Sequence, residues 1–216
     1  MSTMSIYVAL LVPPAVAAVL SRIVPGVFFP RLPKCDPESA EMLAHCQRLA
    51  QRFIIVSVVA NALVWIIGCF VWQIHGPFLA VDRLAFAARI EAPAILLYAF
   101  TILRVAISRG SDVKGVLGQR TGMSGATEVA IRVLNNTTEQ LLLALATHLA
   151  LALLLPKHQF GVLVGLVSLW LTGRVLFIIG YTADHPMGRE LGFDLTFMPS
   201  VLTAMHNVVV GLFLWA

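Results

Sequence analysis

Charged residues are scarce in this chain, and their scarcity excludes most classes of soluble protein. Only 12% of the 216 residues are Asp, Glu, Lys or Arg, whereas 59% are hydrophobic. A soluble domain needs about 25% charged residues to cover its surface. Because the mean hydropathy is +0.88, lipid must be the solvent for most of the chain.

Cysteine is also scarce, which leaves little basis for a zinc site or a disulfide framework. The three cysteines, Cys35, Cys46 and Cys69, form no C-x-x-C pair and no even-numbered set. The six histidines match no metal-ligand spacing. We therefore expect free thiols and no metal centre.

Long apolar runs dominate the chain instead. About 20 apolar residues cross a bilayer as a helix that satisfies its own backbone hydrogen bonds. Pro13 and Pro14 interrupt the first run, and a kink there would make it re-entrant. Prolines in 25–33 indicate an interfacial connection, and the polar stretch 36–52 is expected to begin the second helix outside the membrane. We predict an all-α integral membrane helix bundle with segments at about 4–24, 51–74, 87–108, 129–155, 160–183 and 195–216.

Basic residues concentrate in alternate loops, so the net charge of +4 is a topology signal rather than evidence for a nucleic-acid partner. The positive-inside rule places loops one, three and five in the cytoplasm, with both termini on the opposite side. We predict the bacterial inner membrane as the location, with the functional site towards the cytoplasm. The residues in loops one, three and five are Arg22, Arg31, Lys34, Arg48, Arg52, Arg104, Arg109, Lys114, Arg120 and Arg189.

Polar side chains form a stripe on the fourth segment. Arg132, Asn136 and Glu139 stand at i, i+4 and i+7, which places them on one face of a helix. Glu128 lies four residues before Arg132, a spacing at which a carboxylate pairs with a guanidinium. Ionisable groups at membrane depth are costly and usually face a protein interior or a cavity.

A second polar stripe approaches the same side of the membrane. On the fifth segment Arg174 and Tyr181 are seven residues apart, and the turn that follows carries Asp184, His185 and Arg189. The short loop around 156–160 predicts that segments four and five pack as antiparallel neighbours. We therefore expect the first stripe to lie near Tyr181 and Arg189.

Two interpretations of these stripes remain open from the residues alone. Guanidiniums, a carboxylate, an amide and a phenol around one pocket suit a small anionic or zwitterionic ligand. Alternatively, Arg132 and Glu139 form an internal ion pair, Arg174 snorkels or bonds carbonyls, and Tyr181 belongs to an aromatic belt.

A family resemblance bears on this choice. The run from Glu128 through Arg132 and Asn136 to Glu139 resembles the E-x-x-x-R-x-x-x-N-x-x-E signature of the membrane-associated proteins in eicosanoid and glutathione metabolism, the MAPEG family. A second block, which contains Arg174, Phe177, Tyr181, Pro186 and Arg189, looks like the second signature of that family. The two blocks occur in the family order on adjacent helices, and the resemblance covers about residues 85 to 216.

The resemblance implies a four-helix core at 85–216, preceded by an N-terminal membrane extension at 1–84 with about two more helices. It implies a homotrimer with glutathione bound between subunits near the cytoplasmic side. By position, Arg132, Asn136, Glu139 and Tyr181 would contact glutathione, and Arg109 is a further candidate. Arg189 would stabilise the glutathione thiolate, with Tyr181 as the second catalytic candidate.

The implied function is a glutathione transferase or peroxidase that acts on lipophilic electrophiles or hydroperoxides from the bilayer. Phe177 stands where family enzymes often carry Tyr or His, and Glu190 stands where the prostaglandin-isomerising relatives have Ser. The alternative is a non-catalytic lipid-binding or scaffold protein of the same family. A transporter is disfavoured because the polar groups cluster towards one side of the membrane.

Overall fold

Six long helices make up the architecture. The computed structural model describes residues 3–28, 40–77, 79–118, 122, 124–182 and 188–215, and this part of the chain contains no β-strand. All six helices are long and apolar enough to cross a membrane, which confirms the predicted class and the six segments. They are α1 (Thr3–Ile23), α2 (Ala40–Ile66, extended by a π-helical turn at Ile67–Val71), α3 (Ala80–Gly110), α4 (Gly125–Leu154), α5 (Phe160–Thr182) and α6 (Glu190–Trp215).

Prolines near the N-terminus behave differently from the prediction. The helix α1 runs unbroken through Pro13 and Pro14, so the predicted interruption is wrong. Apolar surroundings and packing against a neighbouring helix favour a continuous helix even where a proline removes an N–H. Pro25 begins a short helix, Pro25–Phe28, because the first helical position needs no N–H partner.

Two of the three cysteines lie within the described residues. Cys46 and Cys69 have free thiols, as expected. Within the described residues, no group of three His, Cys, Asp or Glu side chains could hold a metal ion. Several residues named in the sequence analysis lie outside the described ranges. They are Arg31, Lys34, Cys35, Arg120, Asp184, His185 and Pro186.

The helix α5 is the centre of the bundle. It contains one charged residue, Arg174, and is apolar on all sides, which is the pattern of a helix enclosed by others. It contacts all five other long helices. Around it, α3 packs on α4 and α4 packs on α6. The helix α1 packs on α5, and α2 packs on both α5 and α6. The division at 84/85 stays a prediction.

Hydrogen bonds to a carboxylate stabilise the connection between α3 and α4. Asp112 accepts hydrogen bonds from the backbone N–H groups of Ser124 at 2.6 Å and Lys114 at 3.0 Å. These bonds, above all the one from Ser124, hold the pKa of Asp112 below its ordinary value. Ser124 in turn accepts a bond from the N–H of Thr127 and so caps α4. The start of α4 is therefore fixed beside the end of α3.

A buried acid and imidazole pair connects α3 to α4. Nδ1 of His148 lies 2.5 Å from Oε1 of Glu91, and both side chains are only 2% exposed. Each group would be costly to bury without a partner. Six histidines are evident in the sequence, but no spacing there marks Glu91 as a partner of His148.

We predict that Glu91→Leu and His148→Leu each lower the stability of the bundle by about 1–3 kcal/mol, because each leaves a buried polar group without its partner. The double replacement should recover part of this loss, since no unsatisfied group remains. Thermal unfolding in detergent, followed by helical circular dichroism, gives the double-mutant cycle. Strictly additive losses would contradict direct coupling of the two side chains.

Candidate anion-binding site at one end of the bundle

Four of the predicted site residues meet around one hollow. The hollow has a volume of about 270 Å³ and lies where α4, the end of α5 and the start of α6 converge. Arg132, Asn136, Tyr181 and Arg189 all line it. This is the convergence that helical periodicity and antiparallel packing predicted. Phe177, Glu190 and Phe193 complete the lining.

Close approach of α5 to α6 places the two sides of the hollow together. A Cβ added at Gly192 would collide with backbone N of Phe177 and lie 2.6 Å from the carbonyl oxygen of Gly173. A Cβ at Gly180 would likewise collide with the backbone of Gly188. Glycine at these positions therefore lets the two backbones touch. This contact brings Tyr181 within reach of the residues that begin α6.

Arg174 lies behind the hollow and is completely buried. Its guanidinium donates to Oδ1 of Asn136 at 2.8 Å and to Oγ1 of Thr196 at 2.7 Å. Within the described ranges no carboxylate pairs with it, and its Nε has no hydrogen-bond partner. The alternative that Arg174 snorkels to the interface is wrong, because α6 and α4 supply polar partners at depth.

This arrangement fixes the side chain of Asn136. A guanidinium can only donate hydrogen bonds, so the amide must present its oxygen to Arg174. The NH₂ group of Asn136 is then left to donate elsewhere, and Asn136 lines the hollow. Arg174 thereby acts on the hollow through Asn136.

Aromatic rings connect the buried cation to the mouth of the hollow. The guanidinium of Arg174 lies 4.4 Å from the ring centre of Phe177, whose ring is 5.4 Å from that of Tyr181. The guanidinium of Arg189 lies 5.0 Å from the ring centre of Tyr181. Cation–π contact of this kind orients Arg189 over the phenol.

The two arginines at the mouth have weak carboxylate partners. Arg132 lies 3.5 Å from Glu128, which confirms the predicted i, i+4 pair and shows that Arg132 does not pair with Glu139. Nε of Arg189 lies 3.6 Å from Glu190. The side chains of Arg132 and Arg189 are 64% and 45% exposed, and exposed pairs contribute little stability. Both guanidiniums can therefore engage an anion from solution.

Two predicted binding residues do not line this hollow. Glu139 is exposed on the same face of α4 but lies seven residues, or about 10 Å along the axis, beyond Arg132. The expectation that it joins the other four is not met within this subunit. Arg109 is exposed in the last turn of α3 and is not among the lining residues. Their roles in ligand binding stay predictions.

Comparison with known proteins agrees with the motifs. The sequence profile of the MAPEG family matches residues 62–209, which is more than half of the chain. This integral membrane helix bundle therefore belongs to the MAPEG family. The match begins within α2, earlier than the resemblance at 85 indicated. Searches of curated proteins and of solved structures gave no significant match.

We predict that Gly192→Ala destabilises the bundle by about 1–3 kcal/mol, because overpacking at a backbone contact forces α5 and α6 apart. Gly211→Ala is the matched control on the same helix, since a Cβ there meets nothing within 4 Å. It should be neutral or slightly stabilising, as alanine is the better helix former. Thermal unfolding of both variants in detergent is the measurement, and equal melting temperatures would contradict the close helix contact.

Proposed function

We propose that this protein is a glutathione-dependent membrane transferase or peroxidase whose site is the hollow between α4, α5 and α6. The observation that carries the proposal is the meeting of Arg132, Asn136, Tyr181 and Arg189 in one cavity at the end of the bundle. These are the positions at which the family signatures place glutathione contacts. Family membership supports a glutathione-related function without fixing the reaction.

The donor set fits the tripeptide chemically. Glutathione carries two carboxylates, one ammonium group and a thiol. Arg132 and the NH₂ of Asn136 suit a carboxylate, because charge-assisted bonds from a guanidinium are the strong ones. Glu190, which lines the hollow, suits the ammonium group. The hollow thus offers partners of both signs, as a zwitterionic ligand needs.

The size of the hollow and an exposed polar stripe favour completion of the site by a second subunit. At about 270 Å³ the hollow is at the lower limit of ligand pockets, which are roughly 300–1,000 Å³. Beyond Arg132, Asn135 and Glu139 are exposed along α4, a helix long and apolar enough to cross a membrane, and polar groups are costly to leave in lipid. Cover by a neighbouring copy, as in a homotrimer, would enclose this stripe and bring a partner to Glu139.

Thiolate stabilisation is the chemistry that these side chains can perform. When bound, glutathione supplies a nucleophilic sulfur, and a free thiol has a pKa of about 8.5. The cationic guanidinium of Arg189 would stabilise negative charge at the sulfur, with the Tyr181 hydroxyl as a hydrogen-bond donor beside it. In transfer, the thiolate forms a carbon–sulfur bond either by displacing a leaving group, which departs as an anion, or by adding to an activated double bond, whose other carbon takes a proton from water. Reduction of a hydroperoxide to an alcohol and water consumes two thiols and gives a disulfide.

A non-catalytic scaffold of the same family is the second candidate. Phe177 is buried in the wall of the hollow and brings no hydroxyl or imidazole to the reacting groups. Glu190 lies 3.6 Å from Nε of Arg189 and opposes a second anion there. Both features favour ligand binding without thiol ionisation.

We predict that Arg189→Ala lowers glutathione turnover with a lipophilic electrophile by about 100-fold, the scale for loss of one electrostatic stabiliser. Glutathione affinity, measured by isothermal titration, should change by less than about threefold because other groups hold the carboxylates. Arg189→Lys, which keeps the charge, should retain part of the activity. Arg89→Ala, at an exposed arginine of α3 outside the hollow, is the matched control.

Absorbance near 240 nm on mixing with glutathione reports the thiolate in the same variants. The transferase or peroxidase predicts a thiolate signal that Arg189→Ala removes. Binding without any thiolate signal in the unsubstituted protein would favour the scaffold. No binding at millimolar glutathione would contradict the proposed transferase or peroxidase.

A further inference from the structure

A second and larger cavity lies between α1, α2 and α5. Its volume is about 530 Å³, and it contacts the half of α5 that begins at Phe160, away from the hollow at the Tyr181 end. None of its lining residues is Asp, Glu, Lys, Arg or His. Val8, Val12 and Pro13 of α1 face Leu169 of α5 across it.

The cavity depends on a helix outside the family match. The matched residues begin at 62, so α1 is not part of the common core, yet it supplies a whole wall of the cavity. The helix α2 is pressed against α5 at Gly165, where an added Cβ would lie 2.7 Å from Cγ1 of Val64. The N-terminal extension thus forms one wall of a cavity against the central helix of the core.

The position and lining of the cavity identify the chemistry of its occupant. All three helices are membrane-spanning by length and composition, so the surrounding medium supplies hydrocarbon chains. An apolar cavity of about 150 Å³ already binds benzene, and 530 Å³ therefore accommodates on the order of 20 carbon atoms. Because no Asp, Glu, Lys, Arg or His side chain lines it, a charged head group would find no opposite charge there.

A backbone carbonyl among the lining residues indicates the chemistry of one end of the bound ligand. Pro13 has no N–H, so the carbonyl of Ala9 lacks its usual helical partner. Both residues line the cavity. The hydroxyl side chains of Ser5, Ser168 and Thr172 also line the cavity. A ligand with one hydroxyl group would therefore find uncharged hydrogen-bond partners there.

We propose that α1, α2 and α5 form a binding site for an uncharged, single-chain lipid alcohol of on the order of 20 carbon atoms. The site is separate from the hollow and does not depend on glutathione chemistry. It gives the N-terminal extension a function, which is to hold a lipid chain against the central helix of the family core.

Photolabelling of the full-length protein in lipid nanodiscs tests this site, with a diazirine derivative of hexadecanol as the probe. We expect saturable labelling of 5–13 and 161–172, located by peptide mass spectrometry and displaced by excess hexadecanol. Labelling that excess hexadecanol does not displace reflects contact with bulk lipid and overturns the proposal. Equal labelling by the matching diazirine fatty acid at a pH where it is ionised overturns the assignment to an uncharged head group.

Two adjacent residues of α1 provide a matched pair of variants. Val12 and Leu11 are both 49% exposed, but only Val12 lines the cavity. Val12→Trp fills the cavity and should reduce labelling at least fivefold, whereas Leu11→Trp should leave it unchanged. Val8→Trp, at a second lining residue, serves if Val12→Trp does not fold. Undiminished labelling in a folded cavity-filling variant contradicts the proposal.

Discussion

The buried cation Arg174 is the constraint on which the structure of the site depends. Its guanidinium is fully enclosed and bonded to Asn136 of α4 and Thr196 of α6. A charge at membrane depth is tolerated only when its surroundings supply polar groups. The three helices that form the hollow must therefore converge on this one side chain.

The position of Arg174 explains several properties of the hollow together. It sets the amide orientation of Asn136, and it underlies the aromatic contact of Phe177 with Tyr181. Glycines at the α5–α6 contact let Thr196 come close enough to accept its hydrogen bond. The exposed arginines at the mouth then lie beside an amide whose orientation is already fixed, so the proposed anion binding would need little rearrangement.

The sequence allowed much of this arrangement to be predicted. Apolar runs define six helices, and a spacing of four between Arg132 and Asn136 places them on one face. A short loop between α4 and α5 was enough to bring that face towards Tyr181 and Arg189. Arg174 could be singled out because it is a charged residue within an apolar segment, but its hydrogen-bond partners could not be predicted. These are local or nearest-neighbour properties of the chain.

What escaped prediction depends on register between helices that are distant in sequence. Three features depend on the axial register of packed helices. They are the partner of Arg174 on α6, the pairing of Glu91 with His148, and the cavity between α1, α2 and α5. Helix periodicity predicts the face of the helix on which a residue lies. It does not predict which residue of a neighbouring helix packs opposite it. The continuity of α1 through Pro13 and Pro14 is a tertiary effect of the same kind.

The most direct test of the account is an electron cryomicroscopy structure of the protein in nanodiscs with saturating glutathione. The account predicts density for the tripeptide in the hollow, with a carboxylate at Arg132, the sulfur near Arg189 and the Asn136 oxygen still bonded to Arg174. Glutathione density at another surface, or a hollow that stays empty at saturation, would contradict it.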